Sequence, residues 1–430
     1  MLEVARIVGG KPLQGTIHAA GSKNAALPLI AATLLTSEPV ILHGIPDLSD
    51  VRYMAEILKY QGATVTELAP GSWRLQAQEI TYRTPYELVR KMRASVCLLG
   101  ALVGRLHRAE MAIPGGCVIG PRPIDLHLRG LEKLGCVIKQ ESGIVYVDAA
   151  QAQGDVIPMG GPMGSTVTGT ANLMMAATTT RGRTIIEDAA AEPEVVDLGN
   201  LLIKMGAKIK GLGTKTITIE GVTTLHGAEH TVIPDRIEVG TYLVAGAITG
   251  GDVTVKGANP EHLTAFLEQL ALSGVKVEIG PQHLRAYGRP TRPVQITTMP
   301  YPGFPTDLQA QFLALQLLVS AESSFTEKIY PHRFMHVSEL QRMGANIRLE
   351  GATALVTGGK KLSGAPVMAS DLRASAALIL AALAAEGETW VQRLYHLDRG
   401  YEKFESRLQS LGADIARLPA SAMPKDLCAD

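Results

Sequence analysis

Six stretches of the chain carry almost no charge beyond their first turns: residues 23–35, 86–103, 168–180, 238–249, 307–321 and 371–385. They are rich in Ala, Leu, Gly and Met and show no polar face, which predicts helices buried on every side. Between them lie segments such as 194–205 and 401–411, where charged and apolar residues share each turn and predict surface helices. Each surface segment ends in an apolar or polar residue, then Gly, then a short β-branched or alternating run: Gln61-Gly62-Ala63-Thr64-Val65, Leu134-Gly135-Cys136-Val137-Ile138, Met205-Gly206-Ala207-Lys208-Ile209, Ser273-Gly274-Val275-Lys276-Val277, Met343-Gly344-Ala345-Asn346-Ile347 and Leu411-Gly412-Ala413-Asp414-Ile415. Glycine there suits a left-handed helix cap, and the residues after it read as a strand. The glycines recur at intervals of 68 to 73 residues, so the chain is a six-copy repeat. One copy is a buried helix, a strand, a surface helix and one or two further strands. Units of this size group into domains of up to roughly 250 residues, which predicts an α/β protein of two similar three-copy domains. A continuous ring of six copies is the architectural alternative.

Composition narrows the chemistry. Forty-one basic residues balance 41 acidic ones and aromatics make up 4%, so neither a phosphate-backbone footprint nor a base-stacking platform is expected, and nucleic acid is not an expected partner. The four cysteines form no CxxC pair and no Cys/His cluster, which points to a reducing compartment without a disulfide framework or a zinc site. The carboxylates and histidines show no metal-ligand spacing, and no metal or other cofactor is expected. The N-terminus lacks a basic stretch followed by an apolar run, and no apolar stretch is long enough to span a bilayer, so a cytoplasmic location away from membranes is expected.

Polar residues interrupt the buried helices mainly at their starts: Lys23 and Asn24, Thr166 and Thr168, Arg236, Asp307, and Asp371 with Arg373. Helix N-termini offer unpaired N–H groups and a positive dipole end, and together such ends would make an anion site. Simple N-capping would account for Asp307 and Asp371 taken alone. Cations beside helix starts are harder to explain without an anion between. The second copy expands its strand-to-helix connection into Pro114-Gly115-Gly116-Cys117-Val118-Ile119-Gly120-Pro121-Arg122-Pro123, half Gly and Pro, which presents Cys117 rather than packing it. The neighbouring guanidinium of Arg122 would favour the thiolate and could hold an anion. Copies five and six place Arg333 and Arg399 at the equivalent position, and the three arginines together read as an anion clamp.

Gly21-Ser22-Lys23-Asn24-Ala25-Ala26, Lys91-Met92-Arg93-Ala94-Ser95, the cysteine loop, Phe304-Pro305-Thr306-Asp307, Arg333-Phe334-Met335-His336, Asp371-Leu372-Arg373-Ala374-Ser375 and Asp398-Arg399-Gly400-Tyr401-Glu402 occur in order over nearly the whole chain. In these residues the sequence resembles the UDP-N-acetylglucosamine 1-carboxyvinyltransferase family. The resemblance implies two inside-out α/β barrels of three repeats each. Residues 23–233 would form one, carrying the cysteine loop, and residues 1–22 with 234–430 the other, with the active site in the cleft between them. It implies transfer of the enolpyruvyl group of phosphoenolpyruvate to the 3-hydroxyl of UDP-N-acetylglucosamine with release of phosphate, the first committed step of bacterial peptidoglycan synthesis. By the same resemblance Cys117 is the general acid at the methylene carbon and the residue alkylated by fosfomycin, and Asp307 is the base on the sugar hydroxyl. Lys23, Arg122 and Arg399 would hold phosphoenolpyruvate, with Asp371 near the reacting carbon. Asn24, Arg93, Pro123, Ile124, Asp125, Leu126, His127, Ile329, Arg333 and Arg373 match sugar-nucleotide or cleft positions. Such chemistry needs one acid and one base on opposite sides of the reacting atoms.

The chain departs from the family at Gly160-Gly161-Pro162-Met163-Gly164-Ser165-Thr166-Val167-Thr168, where a lysine commonly precedes a turn against the nucleotide phosphates. Backbone N–H groups and the Ser165 and Thr166 hydroxyls are expected to replace it. Three other readings differ at single features. The shikimate-pathway enolpyruvyl transferase lacks the cysteine loop. A non-catalytic sugar-nucleotide binder would have no use for Cys117, Asp307 and Lys23 together. A cysteine acyltransferase would need a histidine paired with Cys117, for which only His127 and His336 offer themselves.

Overall fold

The computed structural model describes residues 3–114 and 124–424. Cys117, Arg122 and Pro123 lie outside the described residues, as does Cys428. The described chain falls into two units, one made of residues 21–114 and 124–233, the other of residues 3–20 and 234–424. Each is α/β, with small mixed sheets and helices.

The repeat glycines act as expected from their position. Gly62, Gly135, Gly206, Gly274, Gly344 and Gly412 have φ between 90° and 105°, a left-handed conformation that costs glycine nothing. Strands Thr64–Ala69, Val137–Glu141, Lys208–Lys210, Lys276–Gly280, Asn346–Glu350 and Asp414–Pro419 follow them.

The charge-poor stretches are largely buried, the main exception being the start of 86–103, where Tyr86, Glu87, Arg90 and Lys91 are exposed. In the helix Arg236–Thr249 every residue from Ile237 onward is buried, and in Leu372–Ala384 the same holds from Arg373 to Leu383. Helices Leu98–Leu106 and Val167–Ala177 pack together in one unit; Arg236–Thr249, Gln309–Gln316 and Leu372–Ala384 do so in the other. Small residues permit this approach. A Cβ at Gly100 would stand 2.1 Å from the Asn172 carbonyl oxygen, so only glycine fits where those two helices touch.

Two helices differ from expectation. The continuous helix predicted over 86–103 is three pieces: Tyr86–Val89, a 3-10 turn Arg93–Cys97, and Leu98–Leu106. Met92 is extended, at φ −141° and ψ 119°, and the Ser95 hydroxyl donates to the Met92 and Val89 carbonyls, giving the break its own hydrogen bonds. Arg93 thereby begins a new turn. The helix predicted over 307–321 ends at Gln316. There the N–H groups of Leu317, Leu318 and Val319 bond three residues back, and Gly359 N–H takes the Leu317 carbonyl.

Sequence-distant strands complete the sheets. Glu3–Val8 lies between Glu388–Gln392 and Asp414–Pro419, antiparallel to both, and supplies the strand that the sixth copy lacks. Gln14–His18 adds in parallel to Asp252–Lys256 of the same unit. In the other unit Glu229–Thr231, from the end of the third copy, pairs in parallel with Val40–His43 of the first. Among the described residues no helix is long and apolar enough to cross a membrane.

Candidate active site

In the unit of residues 21–233, Lys23 opens the helix Lys23–Ala32, whose N-cap Ser22 accepts from Ala25 N–H through its hydroxyl oxygen. The Lys23 Nζ stands 3.5 Å from Oδ2 of Asp50, itself 2% exposed. A protein carboxylate thus meets this cation, a partner 27 residues away that no local pattern marks. Asn24 follows in the same first turn.

The segment after the cysteine loop meets the 160–168 segment. Ile124 leads into the helix Asp125–Lys133, Leu126 packs on Gly161, and Arg129 donates to the Gly160 carbonyl at 3.0 Å. Gly160 and Gly161 form a hairpin with Gly164 and Ser165, and Thr166 caps the helix Val167–Ala177 by accepting from Gly169 N–H. His127 ties these parts together. The Asn172 Oδ1 accepts from Gly100 N–H, so its Nδ2 faces both the Val96 carbonyl (2.8 Å) and His127 Nδ1 (2.7 Å). An amide nitrogen only donates, so Nδ1 accepts and the ring proton sits on Nε2, aimed at the Thr168 hydroxyl 3.1 Å away. Burial, with the positive charge of Arg93, pushes the imidazole down to about 3, and the ring is neutral. Thr168 receives that proton and retains its own to donate.

In the unit that includes residues 234–424, Asp307 sits in the 3-10 turn Thr306–Leu308, and its side chain caps nothing. Its Oδ1 accepts from Arg333 Nη1 at 2.7 Å and its Oδ2 from Arg373 Nη2 at 2.9 Å. Both arginines are nearly inaccessible, whereas the Asp307 side chain is 26% exposed. N-capping therefore does not explain Asp307. It does describe Asp371, which caps Leu372–Ala384 by accepting from the N–H groups of Arg373 and Ala374. The buried His336 and His396 both feel the Asp371 charge, yet burial keeps each below the ordinary histidine value, His336 at about 4.

The Arg373 guanidinium is also held from behind. Its Nη1 donates to the Tyr401 hydroxyl at 3.3 Å, and its plane lies over the Tyr401 ring, 5.5 Å from the centroid. The same hydroxyl meets Thr241 Oγ1 at 2.9 Å and Gln311 Nε2 at 3.2 Å, so one phenol joins three buried helices. Arg399 ends the 3-10 turn Leu394–Arg399. Its neighbour Asp398 is gripped by both terminal nitrogens of Arg417, which also binds Glu405. Ile329 lies in the turn leading to Arg333. Of the clamp expected of Arg122, Arg333 and Arg399, Arg333 directs its Nη1 at Asp307 and the Thr306 hydroxyl.

Among the described residues no group of three or more His, Cys, Asp or Glu side chains could hold a metal ion. Asp50, Asn172, Glu327 and Arg417 were not candidates in the sequence, and Tyr401 entered only as part of a motif. Each acts through a partner distant in the chain, and no local pattern marks that.

The fold is that of the enolpyruvyl transferases. The family model described as EPSP synthase (3-phosphoshikimate 1-carboxyvinyltransferase) matches residues 7–408. The solved enolpyruvyl transferase NikO from Streptomyces tendae superposes with a TM-score of 0.88 at 27% identity, covering 98% of this chain and 100% of its own. An EPSP synthase from Acinetobacter baumannii shares the fold, with a TM-score of 0.74 at 15% identity over 97% of this chain and all of its own. Two relatives are each 52% identical: one from Methylacidiphilum infernorum over 413 residues (96% of this chain, 98% of the relative), one from Magnetococcus marinus over 418 (95% and 98%). Both are named UDP-N-acetylglucosamine 1-carboxyvinyltransferase. The chain belongs to the EPSP synthase family and, within it, to the UDP-N-acetylglucosamine 1-carboxyvinyltransferases.

Proposed function

We propose that this chain transfers the enolpyruvyl group of phosphoenolpyruvate to the 3-hydroxyl of UDP-N-acetylglucosamine, releasing phosphate. Half-identity over nearly the full length of relatives with that name supports the acceptor. The structural observation that carries the chemistry is Asp307, a partly exposed carboxylate fixed at both oxygens by buried arginines and spent on no cap. A carboxylate held in direction by these bonds can accept the hydroxyl proton while its orientation stays set. The sugar oxygen then bonds to carbon 2 of phosphoenolpyruvate as Cys117 gives its thiol proton to the methylene carbon. Loss of a proton from the resulting methyl group to the Cys117 thiolate and departure of phosphate from carbon 2 form the double bond again, now as an enol ether.

In the same reading Lys23, Arg122 and Arg399 bind the anionic groups of phosphoenolpyruvate, with Asp371 beside the reacting carbon. Asn24, Arg93, Pro123, Ile124, Asp125, Leu126, His127, Ser165, Thr166, Ile329, Arg333 and Arg373 bind or shape the sugar-nucleotide site. Each unit is an inside-out barrel of three repeats. Buried helices and separate small sheets in each unit support that architecture. A cytoplasmic setting suits both soluble substrates.

The test is phosphate release from phosphoenolpyruvate with UDP-N-acetylglucosamine or shikimate 3-phosphate as acceptor, in wild type and Cys117→Ala. Release with the sugar nucleotide alone, lost in the variant, is expected. Release with shikimate 3-phosphate would overturn the acceptor, and release with neither would leave a binding protein.

A further inference from the structure

Glu327 lies one residue beyond the strand Glu322–Thr326, at the carboxyl end of a parallel pair whose other member is Gln295–Thr297. It is 1% exposed. Burying a carboxylate is costly unless its lone pairs are used. Here three donors use them: the Thr306 hydroxyl on Oε1 at 2.8 Å, and the Thr298 hydroxyl and Tyr330 N–H on Oε2 at 2.9 and 3.1 Å. Every donor belongs to a segment that carries a site residue or supports one. Thr306 precedes Asp307, Tyr330 follows Ile329, and the Thr298 oxygen accepts from Lys328 N–H at 3.0 Å to fix the start of that turn.

The Thr306 hydroxyl has one proton. Since that proton is directed at Glu327, its oxygen is the acceptor for Arg333 Nη1 at 3.0 Å, and the same nitrogen reaches Asp307 Oδ1. A directed chain results, from Arg333 through the Thr306 hydroxyl to Glu327, with Arg333 facing Asp307. Without an acceptor behind it, the Thr306 hydroxyl could turn its proton toward Arg333 or Asp307 and disturb the bond that orients the carboxylate. Core packing alone does not call for an ionisable group at position 327, where an apolar side chain would avoid the desolvation.

We propose that Glu327, acting through the Thr306 hydroxyl, is a positioning residue for the Arg333–Asp307 pair and so sets the angle at which Asp307 meets the acceptor hydroxyl. The inference rests on the reading of Asp307 as the group that takes the sugar proton. It predicts an effect on turnover larger than any on sugar-nucleotide affinity, because misorientation matters most as the proton moves.

The experiment measures kcat, KM for UDP-N-acetylglucosamine and thermal midpoint in full-length Thr306→Val, Thr306→Ser, Glu327→Gln and Asp307→Asn. Thr306→Val keeps the shape and loses the hydroxyl; kcat is expected to fall at least tenfold with KM within about threefold. Thr306→Ser should recover most of the loss, and Glu327→Gln should resemble Thr306→Val because it cannot accept from all three donors. Wild-type kcat in Thr306→Val beside an inactive Asp307→Asn overturns the positioning role alone. An active Asp307→Asn overturns the underlying reading of Asp307 and the proposal with it. A kcat loss shared equally by Thr306→Ser and matched by a lowered midpoint marks Thr306 as merely structural and also overturns the proposal.

Discussion

Replacing Tyr401 by Phe removes one oxygen from the point where three buried helices meet. Thr241 already donates to the Ile237 carbonyl, so the Tyr401 hydroxyl donates to Thr241 and accepts from Gln311 and Arg373. In the Phe variant Gln311 Nε2 keeps the Asp307 carbonyl at 2.8 Å and Thr241 at 3.3 Å, and Thr241 keeps its own acceptor. Only Arg373 Nη1 is left without its oxygen. The ring remains under the guanidinium and against Phe404, 4.8 Å between centroids, so packing is nearly conserved. Leaving a buried donor unpaired costs about 1–3 kcal/mol, and a charged one falls at the upper end, so a loss of about 2–3 kcal/mol is expected. In a unit of this size each kcal/mol moves the midpoint by roughly 2–4 °C, giving a drop of about 4–12 °C. Urea unfolding with a probe in this unit, such as Trp390, checks it alongside calorimetry. A change below about 0.5 kcal/mol at unchanged m-value would mean that the hydroxyl carries none of the weight assigned to it.

Three further outcomes are expected. Glu238 is buried between the Ala20 N–H and Arg407, and burial pushes its carboxyl from an ordinary 4.5 up to about 7 against the pull of Arg407. The native state then holds a proton that the unfolded chain has released, so stability falls as pH rises from about 4.5 to about 7, by up to about 3 kcal/mol. Glu238→Gln should lose this slope, and unfolding free energies of variant and wild type that stay parallel between pH 4.5 and 8 would refute it. Thr166 already accepts from Gly169 N–H but keeps its proton to donate. Changing Ser165 and Thr166 together to Ala should weaken UDP-N-acetylglucosamine binding about tenfold by calorimetry, and unchanged affinity would remove both hydroxyls from the phosphate site. Cys117→Asp should retain turnover, since a carboxylic acid can also give a proton to carbon, while resisting fosfomycin. Rapid inactivation of that variant by fosfomycin would reassign the alkylated group.

What the sequence made legible is what a few consecutive residues decide. A helix end followed by glycine fixed six left-handed caps and the strands after them, because the cap conformation and the strand preference are local properties. The buried helices were legible for the same reason, with no polar face anywhere along them. Where a single side chain reaches back to the main chain, pattern misleads: Ser95 bonds two carbonyls and breaks a helix whose composition looks continuous. Strand exchange was invisible, because Glu3–Val8 completes a copy whose other strands lie near the opposite terminus.

The site divides along the same line. Lys23, Asp307, Asp371 and Arg373 stood out because polar residues at the start of an apolar helix are conspicuous in one dimension. Their partners did not, and the partners separate one carboxylate from the other. Asp307 and Asp371 look alike in sequence, each beside a helix start. Asp371 is spent on backbone N–H groups two and three residues away, whereas Asp307 is held by arginines 26 and 66 residues on and leaves its own turn uncapped. A cap stabilises its own helix wherever that helix lies. A carboxylate held by two buried cations, with part of its surface open, makes no such local contribution, and the cost of burying those cations is recovered only if its direction matters. Direction is what proton transfer requires, so the proposed role of Asp307 as the base rests on the long-range pairing rather than on the helix-start position.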